Sequence, residues 1–214
     1  MPVQDGSVVA ERYGVFLRPD PLTCRAVTTV TGQLRAQYGL VSAGAFPPHA
    51  TLVGSLPLAV GVDELAEVLD AVLAPVRPFE VHNAGVRRLG AVLVYDVHHR
   101  DGRPNADLLA LKTRVDTAVR PLLAPTSPEE LAADVHDPAA WQAHLSLASH
   151  ELFTRPELVD ELEAYVAGLD VPVPGTFAAD TVALYRFVHP TWSGSWWQDM
   201  RWEHLRSWRL RSAP

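Results

Sequence analysis

Pro48-His49-Ala50-Thr51-Leu52 and Ala143-His144-Leu145-Ser146-Leu147 are two renderings of one pattern: histidine, any residue, a hydroxyl residue, an aliphatic. Residues two apart on a strand point to the same side. His49 and Thr51 are therefore expected on one face of a strand, and His144 and Ser146 on one face of another. Ala50, Leu52, Leu145 and Leu147 then point the opposite way, into a core. If the strands lie side by side, two imidazoles and two hydroxyls line one cleft. Chance gives a histidine roughly a one-in-ten probability of Ser or Thr two places on, and the chain has nine histidines. A third instance, His189-Pro190-Thr191, reads as a loop, because Pro190 lacks a ladder donor and Trp192 replaces the aliphatic. The other two share the aliphatic, and each precedes an acidic, capped helical pattern.

Working outward, each motif sits in a similar run of elements. Tyr13 to Leu17 reads as a strand, and Asp20-Pro21 caps a helix running to about Tyr38. After the first motif strand, His49 to Val53, a helix is expected from Glu64 to Leu73 with Asp63 as cap. Phe79 to Arg88 and Ala91 to His98 read as strands joined at Gly90. The second half begins with a helix over Ala106 to Leu122. In the stretch Ala124 to Ala140, Ser127-Pro128-Glu129-Glu130 signals a short extra helix. The second motif strand, His144 to Ala148, follows. Thr154-Arg155-Pro156-Glu157 is a capping box for a helix to Ala167, and Phe177 to Val188 and Trp197 to Leu210 supply closing strands. Helix, motif strand, helix, two strands, twice over, reads as a duplication. The expected fold is α+β, bilobed and pseudo-two-fold, with two antiparallel sheets lining a central cleft and helices outside. It forms a single domain over residues 1–214, with lobes near 1–104 and 105–214 that can exchange strands.

Composition narrows the function. The chain has 214 residues, 48% hydrophobic and 20% charged, as expected of a globular protein with a sizeable core. No apolar run reaches membrane-spanning length, and the acidic start lacks a signal-peptide pattern, so the expected location is cytoplasmic. Cys24 is the only cysteine, which excludes an intrachain disulfide and reads as an inert thiol on a helix. A formal net charge of −7, with no dense Lys/Arg run, argues against a grip on long nucleic acid. A small phosphorylated substrate held in a local pocket fits better, and the protein is expected to be a monomer.

With these motifs and this repeat, the chain resembles the two-histidine (2H) phosphoesterase superfamily, whose hallmark is two His-x-Thr/Ser-hydrophobic motifs on a bilobed fold. Pro48 to Gly54 and His144 to Leu147 are most similar to the small cyclic phosphodiesterases. The resemblance implies hydrolysis of a nucleoside 2′,3′-cyclic phosphate or ADP-ribose 1″,2″-cyclic phosphate. It also implies His144 as base and His49 as acid, with no metal and no cofactor. Related 2′-5′ RNA ligases share the fold, and many carry a basic residue soon after the first motif; here Val53-Gly54-Ser55-Leu56 is uncharged. The alternatives are an RNA-end enzyme, either ligase or oligonucleotide phosphodiesterase, and a non-catalytic nucleotide-binding module.

The residues support that chemistry independently. Near neutral pH, one imidazole of ordinary pKa, about 6.5, can accept a proton while its partner donates one. Thr51 and Ser146 can donate hydrogen bonds to phosphate oxygens. His150 follows His144 by six residues and is a candidate substrate contact. Trp192 and Trp196, in a Gly/Ser-rich loop, are candidates for stacking on a base. His98 and His99 read as solvated loop residues, and Trp202 and Trp208 as core residues on one strand face. Of Tyr185 and Arg186, at most one faces the groove. No His-Glu-x-x-His, phosphate-loop or Gly-x-Ser-x-Gly pattern occurs.

Overall fold

The computed structural model describes residues 10–124 and 141–211, so the Ser127 capping box lies outside the described residues. Strand β1 (Ala10–Leu17) leads into helix α1 (Pro21–Tyr38). The Asp20 side chain accepts from the Thr23 amide at 2.8 Å, and Pro21 fills the first helical position, where no amide donor is needed. Gly39 ends the helix at φ 70°, a left-handed conformation that suits glycine. One stripe of α1, including Ala26, Val27, Val30 and Leu34, is buried at helical spacing. Cys24, partly buried on this helix, donates its thiol to the Pro19 carbonyl at 3.3 Å.

The remaining elements are β2 (Ala50–Leu56), α2 (Val62–Leu73), β3 (Phe79–His82), β4 (Val86–Leu89), β5 (Val92–Asp96), β6 (His99–Arg100) and β7 (Arg103–Pro104). They continue with α3 (Ala106–Val119), β8 (His144–Ala148), α4 (Val159–Ala167), β9 (Thr176–Ala179), β10 (Thr181–His189) and β11 (Arg201–Arg209). A four-stranded sheet runs β11-β10-β1-β2, and a three-stranded sheet runs β4-β5-β8. The pairs β3-β9 and β6-β7 complete the strand pairing, and every named pairing is antiparallel. Both larger sheets take strands from both halves of the chain. Helices α2 and α3 pack at the first sheet, through β11 and β2, while α1 and α4 pack at the second. Each motif strand is thus an edge strand, β2 of one sheet and β8 of the other, and the two edges meet.

Several expected elements are divided. The stretch expected as one strand from Phe79 to Arg88 breaks at a turn, where the Asn83 side chain accepts from the Gly85 amide at 3.0 Å and Gly85 has φ 96°. Its pieces pair in different sheets. The strand expected from Phe177 to Val188 is likewise two, β9 and β10, flanking Asp180. Gly61, not Asp63, caps α2, and Asp63 lies in its first turn. The Thr154 hydroxyl donates back to the Glu151 carbonyl, so it does not cap α4; a short 3-10 turn at Pro156–Leu158 precedes that helix.

Trp202 and Trp208 do not share a face. The β10–β11 register steps from Leu184↔Arg206 to Tyr185↔His204, which leaves Leu205 as an extra residue. One bulged residue reverses the alternation. Trp208 is buried at the main core, whereas Trp202 is exposed and meets Tyr185 edge-on at 5.6 Å. Trp208 is fixed by its indole N–H, which donates to Asp70 on α2 at 2.7 Å. His98 and His99 are also not a solvated tip. The Asp96 carboxylate accepts from the His98 amide at 2.9 Å and pairs with His99 Nδ1 at 2.8 Å, folding the chain back. His98 is buried edge-on against Trp141.

Candidate active site

On β2, Ala50 and Leu52 are fully buried while Thr51 is half-buried; on β8, Leu145 and Leu147 are buried while His144 and Ser146 are half-buried. The polar faces of both edge strands meet at one cleft of about 260 Å³. His49, Thr51, His144, Ser146 and His150 all line it. His49 stands just ahead of β2, and His150 lies in a 3-10 turn beyond β8.

The two histidines are held alike. His49 Nδ1 lies 2.7 Å from the Pro47 carbonyl oxygen, and His144 Nδ1 lies 2.8 Å from that of Gln142. Each carbonyl belongs to the residue two places before the histidine. A carbonyl only accepts, so Nδ1 carries the proton and Nε2 keeps its lone pair. Each ring therefore has its back nitrogen occupied and its other nitrogen free to accept or relay a proton.

Their surroundings differ. The His49 ring stacks on Phe16 at 3.9 Å, with 21° between planes, and meets Phe46 at 5.8 Å. Burial pushes its pKa down to about 4, against the raising effect of the Pro47 hydrogen bond and with a further lowering from His144. Burial also lowers His144, partly opposed by the Gln142 hydrogen bond. Behind His144 stands a polar chain. Arg87 donates to the Gln142 side chain at 2.7 Å, and its Nε lies 3.0 Å from Asp96, the cross-strand neighbour of His144.

Both lowered histidines have a consequence for stability. Below pH 6.5 an unfolded imidazole takes up a proton that folded His49 refuses until about pH 4. Unfolding then binds protons, so stability falls as pH drops through this window and is fully present above it. The expected loss from His49 alone between pH 7 and 4.5 is about 2 kcal/mol. Urea unfolding of wild type and His49→Gln at both pH values measures it. The variant should lose less by that amount, and equal losses would contradict an imidazole that stays neutral in the folded protein.

Trp196 and Trp192 do not line the cleft. Trp196 packs behind it, edge-on to Phe46 at 6.0 Å and to His150 at 5.0 Å, and Trp192 lies against Trp196 at 5.2 Å with Arg12 over its ring. His150 stacks on Trp197 at 4.8 Å. Tyr185 joins the aromatic cluster through Phe16 at 5.8 Å, while Arg186 on the other face pairs with Glu11 and Glu203. Sequence reasoning missed Phe16, Phe46, Ser149 and Phe153, which also line the cleft. Phe46, two places before Pro48, was within reach of the motif reading; Phe16 carries no local signal that separates it from a core aromatic. Among the described residues no group of three or more His, Cys, Asp or Glu is arranged to hold a metal ion. No helix among them is long and apolar enough to cross a membrane.

Comparison with known proteins bears on the fold. A solved protein of Thermus thermophilus, TT0787, superposes with a TM-score of 0.55 at 17% identity, covering 94% of this chain and 98% of its own. A structure described as a phosphoesterase gives 0.53 at 15% identity, covering 95% and 100%. Escherichia coli LigT complexed with 3′-AMP gives 0.49 at 16% identity, covering 94% and 99%. At these identities the likenesses concern the fold. No curated protein sequence matches significantly. The model of the 2′-5′ RNA ligase superfamily matches residues 19–190, most of the chain, and with its paired histidine motifs on this mixed helix and antiparallel-sheet fold the chain belongs to that superfamily of two-histidine phosphoesterases.

Proposed function

We propose that the protein hydrolyses a small cyclic phosphodiester, of the nucleoside 2′,3′-cyclic phosphate or ADP-ribose 1″,2″-cyclic phosphate kind, using His49 and His144 as an acid–base pair. The observation that carries this reading is the matched anchoring of the two imidazoles. Each is tied through Nδ1 to a backbone carbonyl, and both line one cleft with Thr51 and Ser146. In the reaction, one Nε2 takes a proton from water as its oxygen bonds to phosphorus. The bond from phosphorus to one ring oxygen breaks, and the other imidazole delivers a proton to that oxygen, leaving a monoester and a hydroxyl. Thr51 and Ser146 donate to the non-bridging oxygens, where charge is concentrated in the transition state.

His144 is assigned as base and His49 as acid. The Phe16 ring face lies parallel against His49, an arrangement that favours an imidazolium over a neutral ring. Burial disfavours that cation; an anionic phosphate beside it offsets the penalty and raises the pKa. Phe153, strongly exposed at the rim, offers a face for a nucleobase. The superfamily match is also compatible with an RNA-end substrate.

Activity toward these cyclic phosphates should survive exhaustive EDTA treatment. Thr51→Ala and Ser146→Ala should each lower kcat about 10²-fold, the typical cost of one lost oxyanion donor. Steady-state assays before and after chelation test both. Loss of activity that zinc or magnesium restores would overturn the metal-independent chemistry.

A further inference from the structure

Beside the histidines, the turn after β8 is joined to the turn after α1 by a hydrogen-bonded cluster that spans more than 100 residues of sequence. The Glu151 carboxylate accepts from the Val41 amide at 2.7 Å and the Ser42 amide at 2.8 Å through one oxygen. Its other oxygen binds the Ser42 hydroxyl. Ser42 Oγ also lies 2.9 Å from Ser149 Oγ and accepts from the His150 amide at 3.1 Å. Ser42 is fully buried, so these contacts are a closed account of its hydroxyl.

The protons can be assigned by counting. An ionised carboxylate is acceptor-only, and hydrogen bonds from Ser42 and backbone amides hold Glu151 ionised against the opposing effect of its burial. The single Ser42 hydroxyl proton is committed to Glu151. Ser149 must then donate its own proton to Ser42. Ser149 lines the cleft, and there it has only lone pairs to offer. Unlike Thr51 and Ser146, it cannot donate to phosphate oxygens; it selects a donor.

We infer that Ser149 is fixed by Ser42 and Glu151 as a hydrogen-bond acceptor for the 5′-hydroxyl of the substrate ribose, making the cleft selective for nucleoside cyclic phosphates with a free 5′ end. The inference rests on the proposed cyclic phosphodiesterase reading. In a nucleoside 2′,3′-cyclic phosphate both vicinal oxygens are esterified, so the 5′-hydroxyl is the one sugar donor left. At the end of an oligonucleotide, or in an ADP-ribose derivative, the corresponding oxygen is esterified and cannot donate. It also adds negative charge, and none of the described lining residues is Lys or Arg. Ser149 is therefore a specificity residue, and Ser42 and Glu151 are positioning residues that act through it.

The test compares adenosine 2′,3′-cyclic phosphate with its 5′-deoxy-5′-fluoro analogue, which keeps the size and loses the donor, on wild type and Ser149→Ala. Wild type should prefer the hydroxyl substrate about 10-fold in kcat/KM, the worth of one hydrogen bond, with the difference in KM. Ser149→Ala should hydrolyse both at closely similar kcat/KM, near the wild-type value for the fluoro analogue. Equal use of both substrates by wild type would overturn the inference without any variant. Undiminished discrimination by Ser149→Ala would also overturn it, placing the reader elsewhere. If wild type turns over neither compound, the proposed function fails and this inference falls with it.

Discussion

Replacing either His49 or His144 by alanine should lower kcat/KM toward a nucleoside 2′,3′-cyclic phosphate about 10³- to 10⁴-fold, the upper range for loss of a positioned acid or base. Each side chain is tied by one hydrogen bond to a carbonyl two residues earlier, and neither links distant parts of the fold through that bond. The variants should therefore fold. His49→Ala gives up a ring contact with Phe16 worth about 1 kcal/mol, which is small beside the catalytic loss. Because the two imidazoles act in one step, the double variant should be little worse than either single one. Steady-state kinetics with urea unfolding at pH 7 reads both quantities. Retained turnover in either folded variant would remove that histidine from the mechanism.

Gly14→Ala should damage the site from a strand away. A Cβ at this position would stand 2.6 Å from Phe16 Cζ, 2.9 Å from Phe16 Cε1 and 3.2 Å from Phe187 Cε2. Phe16 has little room to retreat. It is buried, lies flat against His49 at 3.9 Å, and is flanked by Tyr185 and Phe187, each at 5.8 Å. The added methyl must push the ring that backs His49. Overpacking of this kind costs about 1–3 kcal/mol, and a displacement near 1 Å at a reacting group costs about 10² in rate. Gly32 on α1 is the control, since a Cβ there meets nothing within 4 Å. Gly32→Ala should be neutral in activity and stabilise the helix by up to about 1 kcal/mol. Equal kinetics for the two alanine variants would show that Phe16 does not position His49.

The parts legible in the sequence were those encoded within a few residues. The His49–Thr51 and His144–Ser146 spacing needs only the two-residue period of a strand, and the Asp20-Pro21 start of α1 needs only local capping rules. The divided strands were missed where one residue changes direction: Gly85, at φ 96°, splits the stretch from Phe79 to Arg88. Trp202 and Trp208 were misassigned because strand alternation assumes no bulge, and the Leu205 bulge is a property of β10 pairing with β11. The rest of the cleft depends on chain contacts at long separation. Phe16 meets His49 only because β1 pairs with β2. Ser42, Ser149 and Glu151 are ordinary polar residues until the fold brings them together. No local pattern distinguishes a serine that must accept from one that can donate.

The most direct measurement of the central claim is phosphorus NMR of the purified protein. The samples are a panel of nucleoside 2′,3′-cyclic phosphates and ADP-ribose 1″,2″-cyclic phosphate, with His144→Ala in parallel. The account predicts that wild type replaces a cyclic-phosphate resonance by that of one monoester, and that His144→Ala, equally folded, leaves the cyclic signal standing. Unchanged spectra for every compound with folded wild-type protein, or the same conversion by His144→Ala, would contradict it.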